Sequence, residues 1–114
     1  MTILRICIPV YSRERTSSLT ILQWQNELPF SERSLSIVKD ILIVEKTPDY
    51  TIRAKTGFVG FDGMVKPEIG WYVGYLEKGN NTYFFATNID IQNPKDVANR
   101  IELTRRCFQD LGLL

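Results

Sequence analysis

The 114 residues contain no histidine. That absence removes Ser-His-Asp catalysis, Cys-His catalysis and histidine-ligated metal centres together. Cysteine is scarce, with only Cys7 and Cys107 near opposite ends of the chain. Without a C-x-x-C pair a zinc site is not expected, and nothing asks for a metal or another cofactor. Cys107 falls on an apolar helical stripe, so a buried free thiol is the preferred expectation, with a Cys7–Cys107 disulfide left open. Long apolar runs are lacking too. No stretch approaches the roughly 18 residues of a membrane-span candidate. The apolar run over residues 6–11 is interrupted by Pro9 and is too short for the core of a signal peptide. No cellular address is legible. Charge of one sign is missing as well: 14 Lys and Arg against 13 Asp and Glu leave a net +1. Such a balance exerts no long-range pull on nucleic acid or a membrane surface. The length fits one domain or part of one.

What remains is an ordinary apolar fraction arranged in readable periods. Residues 3–11 are rich in β-branched side chains and form a candidate strand, which Pro9 would confine to an edge. Residues 19–28 are a candidate helix stopped by Pro29. Ser31 is a plausible N-cap for a second helix. Leu35, Val38, Ile41, Leu42 and Glu45 follow its spacing, although Ile41-Leu42-Ile43-Val44 also suits a buried strand. Thr47-Pro48-Asp49 ends that element. Residues 50–58 alternate as a strand, residues 60–67 form a loop, and residues 69–77 and 82–91 are strongly β in character. Lys78-Gly79-Asn80-Asn81 joins the last two as a hairpin turn. Asn93 and Pro94 are expected to cap and open a final helix. Its inward stripe would be Val97, Ile101, Thr104, Phe108 and Leu111, with Gly112 as terminator. The expected fold is α+β: a three-stranded antiparallel sheet, two N-terminal helices, and a C-terminal helix packed on the sheet.

One segment carries chemistry. Lys55-Thr56-Gly57-Phe58 lies on the first meander strand and is followed by Ile69-Gly70-Trp71-Tyr72-Val73-Gly74-Tyr75-Leu76-Glu77. After the turn comes Tyr83-Phe84-Phe85-Ala86-Thr87-Asn88. K-T-G alone recurs by chance, but this order and spacing resemble the strand pair of class D β-lactamases. The upstream Asn26-Glu27-Leu28-Pro29-Phe30-Ser31 and Ile37-Val38-Lys39-Asp40 also look like that family's segment ahead of the K-T-G strand. The resemblance covers residues 19–114 and the C-terminal part of the β-lactamase and transpeptidase-like fold. Residues 1–18 diverge from it. The strand pair looks equally like β-lactam sensor domains of bacterial receptors.

The resemblance implies a substrate-binding set. Lys55 would raise the positive potential beside the β-lactam carboxylate, and Thr56 would donate to it. Gly57, without a Cβ, would let the ligand approach the backbone. The Phe58 N–H would be one of two oxyanion-hole donors. Trp71 would line the cleft, although it suits plain sheet packing equally well. Arg100, near the start of the last helix, would clamp the carboxylate. Without the resemblance, Arg100 would read as a solvated helix residue. Lys55 and Arg100 are expected to face one another across a shared hollow.

The family's nucleophile belongs to an upstream S-x-x-K, followed by S-x-V and Y-G-N. Here Ser36-Ile37-Val38-Lys39 spells both of the first two, but it lies too close to Lys55, and no Tyr-Gly-Asn occurs. The reading is a substrate-gripping C-terminal half without its activated nucleophile. Its partners would be a β-lactam or a peptidoglycan-peptide-like carboxylate, with a second copy or a missing N-terminal half completing the site. A non-enzymatic β-lactam sensor and an inactive remnant are the alternatives. The family is typically exported, but no export signal is present to match. The first apolar segment, residues 3–10, is expected to pair with the edge left exposed on the residue 50–58 strand or its neighbour, or two copies to pair edge to edge.

Overall fold

The computed structural model of the chain describes residues 5–7, 10–12, 29–60 and 67–114. The expected helix over residues 19–28 lies outside them. The described elements are β1 (Arg5–Cys7), β2 (Val10–Ser12), α1 (Glu32–Ile41), β3 (Ile43–Lys46), β4 (Tyr50–Val59), β5 (Glu68–Lys78), β6 (Asn81–Ile91) and α2 (Asp96–Asp110). The strands run in the order β1-β6-β5-β4-β3, with β2 also paired to β6. The α+β class and the β4–β5–β6 meander match the sequence reading. The sheet has more than three strands, however, and two helices are described rather than three.

Two corrections explain the difference. Helix α1 stops at Ile41, where the Leu42 N–H returns to the Val38 and Asp40 carbonyls. The β-branched run after it then becomes β3, an outcome that helical spacing alone had competed against. The first apolar segment does not pair with β4. Arg5, Ile6 and Cys7 lie opposite Asn88, Thr87 and Ala86 of β6, and Val10, Tyr11 and Ser12 opposite Tyr83, Thr82 and Asn81. The edge of β4 is occupied by β3, with Ile43 opposite Arg53 and Lys46 opposite Thr51.

The chain divides into two compact units. The first takes Met1–Ile8, Lys55–Val73 and Phe85–Leu114. Its core is aromatic: the Phe108 ring meets Phe85 edge-on at 5.2 Å between centroids, and Phe85 meets Tyr72 at the same spacing. Helix α2 faces this core with Arg100, Thr104 and Phe108, all buried. That row keeps Thr104 and Phe108 of the expected stripe but turns Arg100 inward, and Ile101 and Leu111 are exposed. Polar residues take the inward positions because each finds a partner there. Thr104 Oγ1 and Thr87 Oγ1 stand 2.6 Å apart, and Thr104 also donates to the Arg100 carbonyl. Cys107, off the buried row, is a half-buried rather than buried free thiol. Burial, followed by the Asp110 carboxylate, pushes its pKa up.

The boundaries of α2 differ at one end and agree at the other. The helix starts at Asp96 with Lys95 at the N-cap position, not at Asn93 and Pro94. Asn93 and Pro94 form a preceding turn, and the Asp96 carboxylate accepts from the Gln92 and Asn93 N–H groups. At the far end Gly112 takes φ +72°. Its N–H reaches the Gln109 carbonyl and the Leu113 N–H reaches Phe108, the paired bonds of a Schellman cap.

The second unit takes Pro9–Ala54 and Gly74–Phe84. Ser31 caps α1 as expected, accepting from the Ser34 N–H at 3.1 Å. The Thr47 hydroxyl accepts from the Asp49 and Tyr50 N–H groups, which shapes the turn from β3 to β4. Ile52, Ala54 and Leu76 form the core. Arg53 binds the Lys39 carbonyl and the Glu77 carboxylate and lies over the Tyr75 ring. Gly74 is required by close approach: a Cβ there would collide with the Arg53 carbonyl and lie 2.7 Å from Ala54 Cα. Gly79, at φ +59° in the two-residue loop between β5 and β6, sits where a type II′ hairpin needs glycine.

Candidate functional site

The first unit contains a hollow of about 670 Å³. Thr56, Gly57 and Phe58 of β4 form one wall, and Glu68 opens β5 beside them. The loop 92–94 and the first two turns of α2, through Val97 and Arg100, close the other side.

Arg100 governs the electrostatics. Its side chain runs inward and it is only 9% exposed. Nη1 donates to the Gly57 carbonyl at 3.0 Å, whereas Nε is buried with no hydrogen-bond partner. A buried guanidinium N–H without an acceptor costs free energy until one arrives. Gly70 makes room for it. A Cβ at Gly70 would stand 3.3 Å from Arg100 Nη1 and 3.0 Å from Ile91 Cδ1. The arginine is therefore seated by an i, i+4 row on α2 below and a glycine on β5 above.

The strand period sorts the motif residues. Thr56 and Phe58 share one face of β4, and Lys55 and Gly57 start from the other. Lys55 is accordingly exposed and does not line the hollow, contrary to the expectation that it faces Arg100 directly. Its long stem curls back: Nζ lies 2.9 Å from the Thr56 carbonyl and 3.5 Å from Thr56 Oγ1. The ammonium thus reaches the rim of the hollow through Thr56.

Trp71 is also outside the lining. It is 36% exposed and alternates with buried Tyr72, so it occupies the opposite face of β5. A Cβ on Gly57 would meet Trp71 Cβ at 3.5 Å, an ordinary contact. The fold itself therefore does not demand glycine at Gly57. Ser36 is exposed on α1 and is not among the lining residues. Among the described residues no cluster of three His, Cys, Asp or Glu side chains could hold a metal ion.

Residues 14–109 match the family model of the penicillin binding protein transpeptidase domain. The chain belongs to this family. Its relatives are class D β-lactamases. It is 39% identical over 102 residues to β-lactamase OXA-48 of Klebsiella pneumoniae, covering 90% of this chain and 37% of that protein. It is 36% identical over 89 residues to OXA-5 of Pseudomonas aeruginosa, covering 78% and 33% respectively. Among solved structures, the class D β-lactamase YbXI from Nostoc is 53% identical with a TM-score of 0.74, covering 90% of this chain and 41% of that one. FUS-1 (OXA-85) from Fusobacterium nucleatum subsp. polymorphum has a TM-score of 0.72 at 35% identity, with the same coverage. The chain thus spans about a third of the length of its curated relatives.

Within this β-lactamase-like segment, the residues that sequence reasoning left out are Glu68, Ile91, Val97 and the loop 92–94. Their sequence context points Asn93, Pro94 and Val97 to capping and packing, and their place on the wall follows from the later start of α2. Glu68 precedes the I-G-W strand, and only the return of β5 alongside β4 reveals its position.

Proposed function

We propose that this chain supplies the carboxylate-binding side of a class D β-lactam site. The observation that carries the reading is the buried Arg100, whose Nε lacks an acceptor inside a hollow walled by Thr56–Phe58. A β-lactam carboxylate would accept from the guanidinium and from the Thr56 hydroxyl, with Lys55 adding positive potential at the rim. Gly57 would let the ligand lie close to the strand. The Phe58 N–H would serve as an oxyanion donor aimed at the lactam carbonyl. Trp71, on the other face, would contact only a ligand that wraps over the strand. In a complete enzyme this half would bind and orient substrate, while an S-x-x-K serine supplied by other residues would attack the lactam.

The test is titration of the chain with benzylpenicillin by calorimetry or by amide chemical shifts. Saturable binding is expected, with shifts at Gly57, Phe58 and the start of α2. Arg100→Ala is expected to weaken it about 10- to 100-fold, the loss of one charge-assisted contact. Gly57→Ala is expected to melt like the parent and still bind less well. Binding that is indifferent to both changes would exclude this site.

A further inference from the structure

Helix α1 carries an apolar stripe turned away from its own unit. Leu35, Lys39 and Leu42 are half-buried and take the inner side. Ser34, Ile37, Val38 and Ile41 follow the i, i+3, i+4, i+7 spacing of a second side. The three apolar ones are all exposed, Ile41 to 75%. One edge of the stripe is bordered by two exposed charges, Arg33 and Asp40, about two turns apart. Both run against the helix dipole. Arg33 is a base in the first turn and Asp40 an acid in the last, whereas Glu32 and Lys39 beside them have the favoured signs. On a lone helix these two placements cost stability, a cost that the charges of a partner would offset.

From this we infer that the outer side of α1 is a docking surface for a second copy of the chain, paired antiparallel across a two-fold axis near Ile37. The charge pattern selects that partner. With the axis there, Arg33 of each copy faces Asp40 of the other, so a single patch complements itself. The bulky Ile41 meets the small Ser34 of the second copy, and Ile37 packs on its own equivalent. A parallel pair would instead turn the charged edge to the opposite edge of the stripe, where Val38 offers no charge. The surface lies apart from the carboxylate site and does not depend on it. A helix of ten residues is about 15 Å long. Its contact falls below the roughly 1,200 Å² of the smallest standard interfaces, so the pairing is weak, with a Kd on the order of 100 μM.

Sedimentation equilibrium of the chain over a concentration series is expected to show monomer and dimer in exchange, the dimer tightening as salt is lowered. Ile41→Asp is expected to leave only monomer. Arg33→Asp and Asp40→Arg, made singly, each set like charges together twice across the axis and are expected to weaken the dimer about tenfold. Made together in one chain, they exchange the two signs and are expected to restore it. Both changes suit the helix dipole, so weaker pairing cannot be put down to a weaker α1. Melting temperatures accompany every variant. If Ile41→Asp destabilises the chain, the charge exchange decides in its place. A chain that is monomeric throughout the series, a dimer untouched by Ile41→Asp, or a double variant no tighter than the single ones overturns the proposal.

Discussion

At the scale of single residues, the chain turns on polar groups placed where a count of apolar side chains would not put them. Arg100 and Thr104 lie on the buried face of α2, and Ile101 and Leu111 do not. Periodicity correctly found the helix and kept Thr104 and Phe108 on its inward stripe, yet it added Ile101 and Leu111 and passed over Arg100, because it scores residues by hydrophobicity and cannot see that the Gly57 carbonyl offers a partner. Arg100 was recovered only through family resemblance. Lys55 was legible as a motif residue but not in its orientation, since K-T-G spells out a strand whose alternate members start from opposite faces. Tyr75 gives a measurable prediction. Burial raises its phenol pKa above the ordinary value near 10; Arg53 lowers it and Glu77 raises it, and burial dominates. The folded chain therefore holds this proton longer than the unfolded one. Its stabilising contribution is complete below about pH 10 and is lost as pH rises through the folded value. In Tyr75→Phe the decline of stability above pH 10, followed by urea unfolding, is expected to be shallower. The phenolate absorbance difference between parent and variant should titrate late.

At the scale of elements, the caps and turns were the most legible features, because each depends on a few local residues. Ser31, the Thr47 turn, Gly79 and Gly112 all act where the sequence placed them. The starts and ends that were misread involve competition. Residues 41–44 satisfy both a helix and a strand, and the pairing of β3 with β4 decides the matter. Asn93-Pro94 would cap a helix, but the Asp96 carboxylate draws the chain into a turn first. Phe108 anchors α2 through its ring contact with Phe85 and is 1% exposed. Phe108→Ala is expected to cost about 3–5 kcal/mol, by analogy with large-to-small core changes. Ser31→Ala should cost only about 1 kcal/mol. It should act locally, since α1 buries no residue, and appear as faster amide exchange over Glu32–Ile41.

At the scale of the whole molecule, this chain corresponds to about a third of its β-lactamase relatives. In the proposed reading, what it holds is the binding wall. The S-x-x-K spelled by Ser36 and Lys39 sits on an exposed helix and outside the hollow. A fluorescent penicillin is therefore expected to leave no covalent adduct on the chain, and intact-mass spectrometry showing acylated Ser36 would refute that. The hydrogen bond from Arg100 to the Gly57 carbonyl makes one side chain a rivet between helix and strand, while its Nε stays an open hand inside the hollow. Grip and durability are fused at that position. Variants of Arg100 chosen for sturdiness would largely be those that still hold an anion. Variants of Gly57, where the fold has slack, would let the two traits drift apart. Evolution, or a library screen, could alter the guest freely at the strand but only together with the scaffold at the helix.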